Sequence, residues 1–170
     1  MPDFRICRHI VRTFAVMVAT FYQPAFATPA PHSTYLAPVT PACISSPFGR
    51  RVLPSHPLAG TFHNGIDIPA PAGTVVRAIA PGQVIRVRRR GPGGLEVVVQ
   101  HYGFQAIYSH LGSVAPPIAE GQRVVHEGEK LGVVGHSGLT YGMHLFFGMI
   151  VNGRAVDPAP LLALPRCDGT

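Results

Sequence analysis

Short runs rich in β-branched residues, separated by glycine and proline, fill the chain from residue 73 onward: 74–80, 83–88, 95–102, 104–111, 123–125, 131–134 and 144–151. Such runs read as strands, because branched side chains suit a pleated surface and Gly or Pro punctuates the turns. No window of useful length carries an apolar stripe at the 3.6-residue helical period. In the second run Ile85 and Val87 alternate with Arg86 and Arg88, which predicts a buried face holding the isoleucine and valine and a wet face holding the arginines. Segments 73–84 and 121–132 echo one another as turn, strand, turn and strand. The pattern predicts an all-β fold, an antiparallel two-sheet sandwich or open barrel.

The sequence has 170 residues, enough for one domain with its own core. Arg5, Arg8 and Arg12 precede an apolar run at 14–21, and Ala25 and Ala27 supply small residues at a cleavage position, so 1–27 reads as a signal peptide. That run is well short of the ~20 residues that span a bilayer, and no later stretch is longer, so no transmembrane segment is expected after cleavage. Residues 28–41, rich in Pro, Ala, Ser and Thr, read as a flexible lead-in, 42–165 as the folded domain and 166–170 as a C-terminal tail.

Cys7 leaves with the leader, so Cys43 and Cys167 remain and bracket the domain. In an exported chain they are candidates for one disulfide, worth roughly 4 to 5 kcal/mol for a loop of order 100 residues. Two unpaired buried thiols are the alternative. Without Asp3, Arg5, Arg8 and Arg12 of the leader, 11 basic and 7 acidic residues remain, a net charge of +4 that suits an anionic envelope. Arg86, Arg88, Arg89 and Arg90 lead into the turn at 91–94, either as an anion-touching tip or as an ordinary solvated hairpin. No phosphate loop, paired-cysteine zinc knuckle or aromatic and basic interleaving supports a nucleic-acid partner. A Ser or Cys nucleophile constellation is absent as well. Lys130, the only lysine, lacks the flanking pattern of a modified carrier lysine.

The strongest local chemistry is His63-Asn64-Gly65-Ile66-Asp67. Zinc accepts imidazole nitrogen and carboxylate oxygen, and alternate extended residues 63, 65 and 67 face the same way. In isolation such a pair is more often a surface hydrogen bond. Further along stand Tyr108-Ser109-His110-Leu111, then Gly135-His136-Ser137-Gly138, then Gly142-Met143-His144-Leu145-Phe146-Phe147. Together with Phe48-Gly49-Arg50, Gly73-Thr74, Gly82-Gln83-Val84 and Val156-Asp157-Pro158, this ordered series resembles the LytM and lysostaphin-type zinc metallopeptidases of bacterial peptidoglycan, over about residues 46–162.

The resemblance implies a duplicated hybrid motif fold with a groove. His63 and Asp67 match zinc ligands, and His110 and His144 match the catalytic pair that handles the metal-bound water and the developing oxyanion. The third ligand position is Phe146, which has no lone pair to donate and leaves zinc an incomplete ligand set. Gly142-Met143 replaces a Gly-Pro, and Gly148 stands where the family often has an acidic residue. His136 and His56 are the only nearby imidazoles that could substitute. Two functions follow as expectations. One is an exported, periplasmic or secreted endopeptidase acting on peptidoglycan peptides, weak or inactive for want of the ligand. The other is a degenerate module that binds peptidoglycan or regulates another cell-envelope hydrolase.

Overall fold

In the computed structural model, which describes residues 35–55, 58, 60–89 and 91–168, the alternating runs form three antiparallel sheets. A two-stranded ribbon joins β1 (Gly49–Arg50) to β2 (Phe62–His63). A three-stranded sheet has the order β4 (Val75–Arg77), β10 (Lys130–Val134), β8 (Leu111–Val114). The large sheet runs β12 (Arg154–Val156), β11 (His144–Val151), β7 (Phe104–Ser109), β6 (Leu95–His101), β5 (Gly82–Arg89), β9 (Val124–Val125). Strand β3 (Gly65–Pro69) pairs with the first five residues of β11, on the edge that β12 takes further along. Single helical turns at Pro116–Ala119 (α1) and Ala159–Leu162 (α2) complete the elements. The fold is all-β, antiparallel and open, as the alternation predicts.

One core lies between the large and the three-stranded sheets. Tyr108, Phe147, Leu145 and Val97 from the first meet Val76, Leu111, Leu131 and Val134 from the second. The opposite face of β11 and β7 carries His144, Phe146 and Ser109, which line a groove. This division follows from the two-residue side-chain period of a strand. The β11–β12 hairpin closes on Asn152 and Gly153, both at positive φ (49° and 74°). An Asn-Gly pair favours this type of turn, because both residues tolerate the left-handed region. Among the described residues no helix is long and apolar enough to cross a membrane.

Three expectations are corrected. Ile85 and Val87 are exposed (42% and 36%), while Val84 is buried. A β-bulge between Val84 and Arg86 leaves Ile85 unpaired, whereas Val87 is registered with the buried Val97 and is still exposed. Residues 35–41, read as lead-in, pack onto the domain: Val39 is buried, Leu36 N–H donates to Ile79 O at 3.2 Å and Arg77 N–H to Pro38 O at 2.9 Å. At the other end, Arg166 bridges Ile44, and Cys167 is bonded to Cys43 across 124 residues, so 166–167 belong to the packed domain. The leader 1–27, the lead-in up to residue 34, His56 and Arg90 lie outside the described residues.

His101, at the end of β6, is buried and donates Nδ1–H to Pro81 O at 2.9 Å. Desolvation lowers its pKa from the ordinary 6.5, and the Pro81 bond offsets this only in part. The unfolded chain therefore binds the extra proton first, and stability falls as pH drops from about 6.5 through the depressed value. The expected result is a melting temperature that declines on the acid side of neutrality, with a shallower decline in His101→Phe. Equal slopes in thermal melts from pH 7.5 to 5 would count against this assignment.

Candidate active site

The groove, with a cavity volume of about 780 Å³, crosses the outer face of the large sheet. His63 ends β2, and β3 carries Asp67 directly opposite Phe146 of β11. Asp67 is also anchored by its backbone: its N–H donates to Ser46 O at 2.9 Å, and its carbonyl accepts from Ser45 N–H at 3.0 Å. His110 lies between β7 and β8 with φ of 64°, an uncommon conformation for a side chain of this size. Its backbone is held there by Gly93 O, which accepts its N–H, and by Gly135 N–H, which donates to its carbonyl.

All four polar residues named from the sequence meet in this groove. His63 Nε2 lies 3.2 Å, and His144 Nε2 3.4 Å, from Asp67 Oδ1, and the His110 and His144 rings are 4.8 Å apart. Each imidazole also faces a backbone carbonyl through Nδ1: His63 to Pro47 at 2.9 Å, His110 to Ser137 at 2.8 Å and His144 to Gly142 at 3.0 Å. A carbonyl only accepts, so Nδ1 carries the hydrogen and a neutral ring keeps its lone pair on Nε2. A lone pair facing a carboxylate oxygen is repulsive. The cluster thus calls for positive charge between Asp67 and its two imidazole neighbours, as a proton or as a cation.

The electrostatics follow the same geometry. Burial alone would raise the Asp67 carboxyl, but the His63 hydrogen bond and the charges of His144, His63 and Arg51 outweigh it and hold the pKa below the ordinary 3.8. Desolvation keeps His110 below the ordinary 6.5, against the raising effect of its Ser137 bond. His110 is therefore an unprotonated base to lower pH than a solvated histidine, which suits it to accept a proton.

Phe146 faces the groove as the cross-strand partner of Asp67. Its ring centroid is 5.4 Å from that of His63. A Cβ on Gly65 would lie 2.7 Å from its Cζ and 2.5 Å from Phe147 O, and a Cβ on Gly148 would lie 3.0 Å from its Cε1. The ring is seated over this cross-strand glycine pair, whose missing side chains make room for it. Among the described residues no group of three or more His, Cys, Asp or Glu side chains is arranged to hold a metal ion. The donor set does not fit a catalytic zinc site with three protein ligands.

Arg51 and Glu96 of the groove, and the contacts that Ser137 makes beside it, were not singled out in the sequence. Arg51, not the exposed Arg50, reaches Asp67 Oδ2 at 3.8 Å and donates to Ser46 Oγ at 3.2 Å. Ser137 accepts His110 through its carbonyl, while its hydroxyl donates to Leu111 O and accepts from Leu95 N–H. Glu96, buried on β6, takes bonds from Ser109 and Arg88. Glu96 stands out as the polar residue that interrupts the apolar run from Leu95 to Val99. His136 is exposed and does not line the groove.

The DD-carboxypeptidase/endopeptidase Mpg of Neisseria meningitidis serogroup B (strain MC58) is 40% identical over 133 residues, covering 76% of this chain and 29% of that protein. Peptidoglycan DD-endopeptidase ShyA of Vibrio cholerae is 36% identical over 117 residues, covering 67% of this chain and 26% of that protein. The chain thus spans less than a third of these curated relatives. Among solved structures, the catalytic domain of the antimicrobial peptidase lysostaphin from Staphylococcus simulans superposes with a TM-score of 0.64 at 26% identity, over 72% of this chain and 92% of that one. The profile of Peptidase family M23 matches residues 61–158, a span that begins just before His63 and closes on the Asp157-Pro158 pair beyond β12, so the chain belongs to that family.

Proposed function

We propose that this chain is an exported, peptidoglycan-directed M23 domain that holds peptidoglycan peptides in its groove and is deficient as a zinc hydrolase. The relative named as a peptidoglycan DD-endopeptidase, ShyA of Vibrio cholerae, supports the substrate class. One observation carries the deficiency: the cross-strand partner of Asp67 is a phenyl ring packed on Gly65 and Gly148. Loss of a residue bonded directly to the metal costs more than the roughly 10 to 100-fold typical of losing a group that only supports such a ligand. The chain's own residues would still bind and orient a peptide. Asp67 and Arg51 present fixed charge, and His110, positioned by Ser137, holds a free lone pair in the groove. Such a module acts by occupying peptidoglycan or by docking onto another envelope hydrolase.

A second reading keeps the hydrolase, and the approach of His144 Nε2 to within 3.4 Å of Asp67 Oδ1 favours it. Here His144 would stand in as a donor beside His63. Zinc content per purified chain and release of peptidoglycan fragments separate the two, measured for the natural protein, Phe146→His and His144→Ala. The proposed function expects little zinc and no cleavage in the natural protein. It expects a gain of zinc of tenfold or more in Phe146→His, whose imidazole would face the groove beside Asp67. Stoichiometric zinc in the natural protein, lost in His144→Ala and accompanied by cleavage, would establish the second reading.

A further inference from the structure

The groove floor is a single cross-strand row. Asp67 on β3 is paired with Phe146 on β11, and Phe146 with Ser109 on β7. Ser109 Oγ donates to Glu96 Oε2 on β6 at 3.1 Å, and Glu96 is the registered partner of Arg88 on β5. All five residues line the groove. Neighbouring strands lie ~4.8 Å apart, so four steps place the Arg88 backbone roughly 19 Å from that of Asp67, about six residues of extended peptide.

At the far end of this row, the buried Glu96 carboxylate spends one oxygen on Ser109 and the other on Arg88 Nε–H. Guanidinium–carboxylate pairs frequently close with two parallel bonds. Here Arg88 reaches the carboxylate through Nε, and among the described residues no group other than Glu96 pairs with its guanidinium. The Arg88 side chain keeps 34% of its surface exposed. The bulge at Ile85 is what places Arg88 on this face. Without the inserted residue, Arg88 would lie with the opposite set of side chains.

Resting on the peptide-binding reading above, we infer that Arg88, a fork fixed in orientation by Glu96 and Ser109, is a subsite for a carboxylate of the bound peptide, at the end of the groove remote from Asp67. Glu96 and Ser109 are positioning residues, since they act through the guanidinium. A planar donor pair that is already immobilised loses little freedom on binding, which favours a carboxylate over a neutral amide.

The test uses the full chain and a soluble cross-linked muropeptide dimer in three forms: native, amidated at its terminal carboxyls, and amidated at its side-chain carboxyls. Affinities are read by calorimetry. The natural protein should bind the native form about tenfold or more tighter than one of the amidated forms, and that form identifies which carboxylate is read. Arg88→Gln should bind all three alike, and Arg88→Lys should recover part of the preference. Because Arg88→Gln leaves Glu96 buried without its cation, the neutral pair Arg88→Gln with Glu96→Gln is measured beside it, with folding checked by circular dichroism. Binding by the natural protein that ignores amidation, or discrimination that survives in the folded double variant, overturns the subsite and leaves the peptide-binding reading intact. Failure of the natural protein to bind any form overturns both.

Discussion

Replacing Cys43 and Cys167 together by serine is expected to lower the unfolding free energy by about 4 to 5 kcal/mol. The bond closes a loop of 124 residues, nearly the whole described domain, so it removes a large share of the unfolded chain's freedom. The folded ends also hold one another without it: Ile44 N–H donates to Pro165 O at 2.8 Å and Cys167 N–H to Ile44 O at 3.1 Å. Those bonds predict that the reduced protein still folds, with the same secondary structure and a lower midpoint. Urea unfolding of the oxidised, reduced and double-serine proteins checks this. The last two should coincide, and a loss under about 1 kcal/mol would mean that the terminal bonds alone keep the ends in place.

The second large effect separates two neighbours of identical chemistry. Phe147→Ala should cost about 3 to 5 kcal/mol, the usual range for emptying a buried aromatic site. Phe147 is fully buried, edge-on to Tyr108 with ring centroids 5.2 Å apart. Phe146→Ala should cost well under half as much, because that ring is only partly buried on the groove side. Chemical denaturation of both variants measures the difference. Equal losses would mean that β11 sits one residue out of the register described, since such a slip exchanges the two faces.

Much of the fold was legible in the sequence for a physical reason. Runs rich in β-branched and apolar residues between Gly and Pro read as strands, which marks 95–102, 104–111, 131–134 and 144–151. The short pieces β1, β2 and β12 were not, because two or three residues carry no period; Asn152-Gly153 was the overlooked signal for the last of them. The Ile85 assignment failed because a bulge is invisible to a rule that assumes strict alternation. In the groove, His63, Asp67, His110 and His144 could be named because their spacing repeats a family pattern, and the structure places them together. Arg51, Ser137, Glu96 and Arg88 act through register, bulges and loop contacts, which depend on partners distant in sequence. The seat of Phe146 on Gly65 and Gly148 is of the same kind. Each residue is unremarkable alone, and only cross-strand pairing shows that the aromatic ring and the two absent side chains form one arrangement.

Strand β11 lies between β3 and β7 and then meets β12, so one late segment supplies hydrogen-bonding edges to three others. During synthesis, residues 65–69 must wait for residue 148 before their ladder can close. A polypeptide broken off anywhere before that point keeps two bare sheet margins, which are templates for sticking to other chains. Assembly of the groove is therefore nearly all-or-none with respect to translation, and partial products are candidates for aggregation instead of fragments with residual binding.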